Sequence, residues 1–259
     1  MPEPAGVAAR RVAADALGRV LRRGAYSNRV LERAGAGLDR QDRALAQRLL
    51  YTALRHLLRI DRALQAGSTR LLASIDPPVL DGLRIAAGEL LVLETPAHAA
   101  VAVGVSVVRA AAGERAAGFA NAVLRRVAEG EDPLPATPEG KALEYGIPGW
   151  IRQRLAAEWG EERADGFLAA AGEPAPIGVV LRGSDPPPGF APAPGIPGAG
   201  YVRDRSDAAA VAAAGGLVAD PATAAVAAAV RARPGERLLD MAAAPGGTTV
   251  LLADALQGS

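Results

Sequence analysis

The strongest constraint on the fold lies near the end of the chain, in Glu236-Arg-Leu-Leu-Asp-Met-Ala-Ala-Ala-Pro-Gly-Gly-Thr-Thr249 and the Val250-Leu-Leu-Ala-Asp-Ala-Leu256 that follows. Arg233-Pro-Gly-Glu236 signals a turn, Leu238 to Ala242 reads as a buried strand, Pro245 to Gly247 as a tight loop, and Thr248 to Leu256 as a helix. A lone strand cannot satisfy its own backbone N–H and C=O groups, so such a unit asks for neighbouring strands, as in a Rossmann-like sheet. There, a ligand binds beyond the strand's carboxyl end, where glycines admit close approach and the helix start offers N–H groups. Gly-x-Gly-x-x-Gly and Gly-x-x-x-x-Gly-Lys-Ser/Thr are both absent, so dinucleotide and NTP binding have no residue support. Pro-Gly-Gly alone is equally an ordinary strand-to-helix turn, and the rest of the chain has to decide.

Ahead of it, residues 8 to 128 read as consecutive helices. Val12, Ala16, Leu17, Val20 and Leu21 recur at helical spacing up to Gly24, and Ser27 caps a short helix carrying Val30 and Leu31. Asp39 caps a long one, with Leu45, Leu49, Ala53, Leu54, Leu57 and Leu58 on one side, ending near Gly67. Asp76-Pro-Pro78 starts a helix whose apolar run from Leu80 to Leu93 stops before Pro96. Two more follow, from His98 to about Ala112 and from Glu114 to Ala128. Short connections imply a compact bundle.

Residues 129 to 138 then read as a linker, 149 to 171 as a helix with Trp150 and Trp159 as core anchors, and 176 to 182 as a strand. Pro and Gly dominate Asp185 to Gly200, a loop; Tyr201 to Asp204 is a short strand, and Asp220 caps a helix with Pro221 at its first position. The domains expected are 1–130, 131–215 and 216–259.

Charge is divided unevenly. Residues 1 to 130 carry 19 arginines against 12 carboxylates, whereas residues 131 to 259 carry 10 basic against 16 acidic groups. A basic half of this kind points to a polyanion, with a solvated arginine-rich helical surface as the equally weighted alternative. Arg10, Arg11, Arg22, Arg23 and Arg29 on the first two helices are the candidate phosphate contacts, because guanidinium groups bind phosphate bidentately. No aromatic platform is expected beside them, which favours recognition of shape or backbone over base stacking. His56 and His98 have no second ligand at metal spacing, so no metal site is expected. No segment reaches the roughly 18 apolar residues of a membrane span and the N-terminus does not read as a signal peptide, which leads to the expectation of a cytoplasmic protein. There is no cysteine, hence no thiolate nucleophile.

The order of motifs resembles a known family. Ala25-Tyr-Ser-Asn28, Asp39-Arg-Gln-Asp-Arg-Ala-Leu45, Leu50-Tyr-Thr-Ala-Leu-Arg55, Pro96-Ala-His-Ala99 and Gly118-Phe-Ala-Asn-Ala-Val-Leu-Arg-Arg126 resemble the NusB-like RNA-binding domain that fronts the Fmu/Sun-type 16S rRNA (cytosine-5) methyltransferases. Asp220-Pro-Ala-Thr and Leu239 to Thr249 resemble that family's entry helix and first S-adenosylmethionine motif. The resemblance implies an all-α NusB-like bundle, a small α+β linker region and the first β-α unit of a Rossmann-like class I methyltransferase domain. It further implies S-adenosyl-L-methionine as cofactor, RNA (16S rRNA) as partner, and Asp240, Ala242, Ala243, Ala244, Pro245, Gly246, Gly247 and Thr248 as cofactor-binding residues. Gly246 and Gly247 would let backbone N–H groups reach the ligand's carboxylate, and Asp240 would attract its ammonium.

Three departures qualify that picture. Ala242 and Thr248 stand where the family usually has Cys and Lys, and residues 176 to 205 are short and proline-rich beside the family's RRM-like subdomain. The sequence also ends at Ser259, before the acidic residue expected about 20 positions after the loop to hold the ribose. The family mechanism adds a cysteine thiolate to cytosine C6 so that the resulting enamine attacks the methyl sulfonium, a step no residue here performs. The expectation is therefore a fragment, inactive alone and with no catalytic residue of its own. The alternatives are a stand-alone NusB-like RNA-binding module of the antitermination type with a vestigial methyltransferase tail, and an S-adenosylmethionine enzyme of other chemistry.

Overall fold

A computed structural model describes residues 6–130, 134, 137–172 and 175–256. The chain falls into two compact units, Met1–Gly172 and Glu173–Ser259, a division between the boundaries at 130 and 215 expected from composition. Half of the expected linker, residues 131–133, 135 and 136, lies outside the described residues.

The first unit is helical: α1 (Val7–Arg23), α2 (Ser27–Ala34), α3 (Arg40–Arg55), α4 (Leu57–Gly67), a 3-10 turn (Leu72–Ser74), α5 (Pro77–Leu91), α6 (Ala97–Glu129), α7 (Pro138–Glu144), α8 (Gly149–Trp159) and α9 (Glu161–Gly172). Asp39 caps α3 by accepting the Asp42 N–H at 2.8 Å, whereas α2 begins at Ser27 itself, with Tyr26 rather than Ser27 in the capping position. The expected single helix from 40 to 67 is broken at His56 (φ −107°, ψ 23°). Neither proline nor glycine marks that kink, and it turns the apolar stripe so that Ile60 and Leu64 are buried while Leu58 is exposed. Gly113 (φ 80°, ψ −177°) interrupts α6, matching the expected pair of helices around it.

Helix α5 occupies the centre. Residues from Val79 to Glu89 other than Arg84 are buried, with α1, α3, α4 and α6 packed around the helix, the pattern of a core helix. Aliphatic side chains fill this core, among them Leu17, Leu49, Leu50, Ile60, Leu64, Leu83, Val108 and Leu124. At Gly104 a Cβ would stand 2.5 Å from that of Ala86, so α6 approaches α5 closer than a larger residue permits. Two buried carboxylates of α5 fasten α1. Glu89 accepts from Arg10 Nε at 2.7 Å and Nη2 at 2.5 Å, and Asp81 accepts from Arg22 Nη1 at 2.9 Å and Nη2 at 2.6 Å. Both pairs use the bidentate geometry that makes arginine–carboxylate bonds strong.

Trp150 and Trp159 are not core anchors. They are 68% and 40% exposed, and Trp159 meets the edge of Phe167 instead. Gly160 (φ 81°) splits the expected helix into α8 and α9, and the buried residue of α8 is Arg152, which donates to Asp165 of α9 through Nε at 2.7 Å and Nη2 at 2.9 Å. Lys141 of α7 donates to the same carboxylate at 2.7 Å. This short helix is thus fastened by its buried arginine rather than by its aromatic residues.

The second unit contains a four-stranded antiparallel sheet in the order β2-β3-β1-β4: β1 (Ile177–Val180), β2 (Ala191–Pro192), β3 (Ala199–Val202) and β4 (Leu217–Val218). β1 and β3 pair from Ile177↔Val202 to Val180↔Ala199. Helix α10 (Arg205–Ala213) covers the sheet with Ala208 and Val211 against Val179 and Val202. The proline-rich loop therefore contributes β2, and both α10 and β4 were not legible from periodicity. Helices α11 (Pro221–Val230) and α12 (Gly247–Ala255) complete the unit.

The strand expected at Leu238 to Ala242 is not formed. Leu238, Leu239 and Met241 are 42%, 84% and 92% exposed. An apolar run becomes a strand only where a ladder partner exists, and none stands beside it among the described residues.

Candidate functional site

The loop from Asp240 to Thr249 is organised by Asp240. Its Oδ1 accepts the Ala242 N–H at 3.0 Å and its Oδ2 accepts the Thr249 hydroxyl at 2.7 Å, so one carboxylate ties both ends of the loop. Ala242, Ala243, Ala244 and Pro245 are exposed between them, with a cis bond joining Ala244 to Pro245. Gly246 occupies the capping position of α12 at φ 112°, a conformation that favours glycine, and no side chain caps the helix there. The first N–H groups of an α-helix have no partner within it, so Gly247, Thr248 and Thr249 present backbone donors at an uncapped end. A Cβ on Gly246 would meet nothing within 4 Å, whereas one on Gly247 would touch the Thr223 methyl at 3.4 Å. Gly246 thus faces open space and Gly247 faces α11.

Neighbouring elements brace the loop. Asp220 caps α11 through the Ala222 N–H at 2.8 Å. Arg182, just past β1, donates twice to Asp254 at the far end of α12, both at 2.6 Å, and also to the Gly215 carbonyl at 2.9 Å. That hydrogen bonding holds the Asp254 carboxyl below its ordinary pKa. The helix start suits a carboxylate through its oriented amides and the open space at Gly246, while Thr248 adds no cation to the site.

The basic residues separate by role. Arg10 is turned inward, its side chain 12% exposed on Glu89, and Arg22 is committed to Asp81 while remaining 44% exposed. Arg11 borders a hollow of about 370 Å³ together with Asp15, Arg22 and Asp81. Arg23 and Arg29 border a second hollow of about 330 Å³ with Arg19, Arg33, Val30 and Tyr26. Tyr26 is 72% exposed, and the Arg29 guanidinium lies 5.3 Å from its ring centroid. An aromatic does accompany the arginines, contrary to the expectation from sequence. The usable signal was a tyrosine two residues past the helix-ending Gly24, between two helices that each carry arginines.

His56 buries Nδ1 without a hydrogen-bond partner, and burial, then Arg59 and Arg55, pushes its pKa down. His98 lies exposed at the start of α6. Among the described residues no group of three or more His, Cys, Asp or Glu is placed to hold a metal ion, and no helix is long and apolar enough to cross a membrane.

Residues 7–129 match the NusB family. The ribosomal RNA small subunit methyltransferase B of Xanthomonas campestris pv. campestris is 35% identical over 168 residues, covering 64% of this chain and 37% of the relative. A Mycobacterium tuberculosis (H37Rv) protein named as a methyltransferase, Rv1407, is 32% identical over 284 residues, covering 95% of this chain and 60% of the relative. This chain therefore spans between about a third and three fifths of the length of these two relatives. The crystal structure of PH0851 superposes on 99% of this chain and 62% of its own with a TM-score of 0.65 at 16% identity, a likeness of fold. Residues 7–129 are a NusB-family domain, and the chain is a homologue of the Fmu/Sun-type ribosomal RNA small subunit methyltransferase B proteins.

Proposed function

We propose that these residues form the RNA-recognising and cofactor-loop portion of an S-adenosylmethionine-dependent rRNA (cytosine-5) methyltransferase acting on 16S rRNA in the cytoplasm. The observation that carries this reading is that similarity to a protein named as a methyltransferase runs through 95% of the chain, beyond the NusB-family domain and into the unit that holds the loop. Arg11, Arg23 and Arg29, on α1 and α2, supply phosphate contacts, while Arg10 and Arg22 hold α1 in place. Around the loop, the N–H groups of Gly247, Thr248 and Thr249 hold the carboxylate of S-adenosylmethionine, Gly246 leaves room for it, and Asp240, Ala242, Ala243, Ala244 and Pro245 shape the approach. When bound, S-adenosylmethionine supplies an electrophilic methyl group. The chain has no cysteine, so these residues bind and orient but do not themselves activate cytosine through a thiolate.

Calorimetric titration of S-adenosylmethionine into the 259-residue chain tests the reading. A weak saturable heat that disappears in Gly246→Val supports it; no heat from either protein removes the cofactor half. The family match over residues 7–129, with arginines clustered on α1 and α2, supports a second reading, a stand-alone NusB-like RNA-binding module of the antitermination type. That reading predicts RNA binding with no cofactor heat.

A further inference from the structure

Helix α12 has nine residues, fewer than an isolated helix needs to hold together in water, and its first turn carries the free N–H groups of the loop. Leu252 is the buried residue of the helix, a single apolar anchor near its middle. Strand β1 supplies contacts toward both of its ends. At the near end, Gly178 of β1 lies so close to the start of α11 that a Cβ there would stand 2.6 Å from the Ala219 carbonyl oxygen and 2.9 Å from Pro221 Cδ. The start of α11 in turn meets the start of α12, where a Cβ on Gly247 would touch the Thr223 methyl at 3.4 Å. At the far end, Arg182, just past β1, donates from Nε and Nη2 to the Asp254 carboxylate, both at 2.6 Å, and from Nη1 to the Gly215 carbonyl at 2.9 Å. One guanidinium therefore joins the end of β1, the turn between α10 and β4, and the last turn of α12.

A contact at one end fixes where a short helix sits but leaves its axis free to swing about Leu252. Contacts at both ends fix the axis, and the axis sets where the N–H groups of Gly247, Thr248 and Thr249 point. We propose that Arg182 is a positioning residue for the loop: by holding Asp254 it sets the direction of α12 and aims the amides at the other end of that helix. This role rests on the cofactor reading above for the identity of the ligand, and adds a residue far from the loop in sequence, in a segment that reads only as a strand. It also gives the antiparallel sheet a function, since β1 is the element from which both ends of α12 are held. Arg182 and Asp254 are 30% and 46% exposed, and ion pairs at the surface contribute little to global stability. Their bidentate fork, with the third bond to Gly215, restricts orientation instead. Loss of Arg182 is therefore felt in ligand affinity and in local order, not in whether the chain folds.

The test compares the full chain with Arg182→Gln, Arg182→Lys, Asp254→Asn and the double variant Arg182→Gln/Asp254→Asn, using calorimetric titration of S-adenosylmethionine, amide hydrogen exchange and urea unfolding. Arg182→Gln is expected to weaken S-adenosylmethionine binding about fivefold, and Arg182→Lys, which keeps the charge but not the fork, to restore part of that loss. The double variant is expected to lose no more than the worse single one, because both act through one contact. The Val250 amide, which donates to the Gly246 carbonyl at the loop end of α12, is expected to exchange about fivefold faster in Arg182→Gln. The urea midpoint is expected to move by less than about 0.5 M. Where the unaltered chain binds S-adenosylmethionine, unchanged affinity in Arg182→Gln overturns the proposal and leaves the cofactor reading standing. Where the unaltered chain does not bind it, the cofactor reading fails by itself, and exchange at Val250 decides the positioning role: a faster rate upholds it and an unchanged rate overturns it.

Discussion

Two arginines near opposite ends of α1 illustrate how much a residue's role depends on its partner. Arg10 and Arg23 both read as surface charges on α1, yet Arg10 closes on Glu89, 79 positions away, and Arg23 opens onto the hollow beside Tyr26. Nothing local distinguishes them, which is why the sequence grouped them as RNA contacts. Capping residues such as Asp39 and Asp220 were legible because their hydrogen bonds reach only two or three residues along the chain. Arg152 is the other residue that periodicity misjudged: it is 2% exposed, held by Asp165, while the neighbouring tryptophans lie at the surface. Replacing Asp165 with Asn leaves that buried cation poorly compensated, and urea unfolding is expected to show a loss of about 3 kcal/mol. Hydrogen bonds from Arg152, then Lys141, lower the Asp165 pKa to about 2. A carboxylate whose folded pKa is depressed contributes stability above its ordinary pKa, 3.8, and loses it as pH falls through the folded value. Wild-type stability is therefore expected to decline from about pH 4 toward 2, and Asp165→Asn to lack that part of the decline.

At the scale of elements, helices were easier to foresee than breaks and strands. The 3.6-residue period identified α1, α3, α5 and α6, and Gly24 and Pro96 marked ends or starts where backbone geometry demands them. The kink at His56 carries no such residue, and the helices on either side of it both pack against α5. Short strands β2 and β4 have two residues each, too few for a period of two to register. Close packing of α6 on α5 at Gly104 leads to a mutational expectation: Gly104→Val should cost at least about 1–3 kcal/mol in chemical denaturation, since the Cβ already collides with Ala86. The unpaired run at Leu238 to Met241 leads to the opposite one. Leu239→Lys and Met241→Lys should leave stability within about 0.5 kcal/mol, because both side chains are exposed. A large loss in either would mean that this run pairs as a strand in solution.

At the scale of the whole molecule, the two units were not equally legible. The arginine-rich helical unit was legible as a fold because its apolar residues recur at helical spacing over more than a hundred positions. The second unit was legible in its glycine loop and its first strand, but α10 and the sheet order depend on contacts between distant segments that no local pattern encodes. Of the candidate site, the loop's glycines and Asp240 were found from sequence, whereas the carboxylate's two bonds across the loop required coordinates. The central claim is that the basic face of α1 and α2 binds RNA through its phosphates. Its most direct test is the affinity of the full chain for a 16S rRNA fragment across a salt series. With phosphate contacts from Arg11, Arg23 and Arg29, log affinity should fall against log salt with a slope of about −2 to −3. No measurable binding, or an affinity indifferent to salt, would contradict the account.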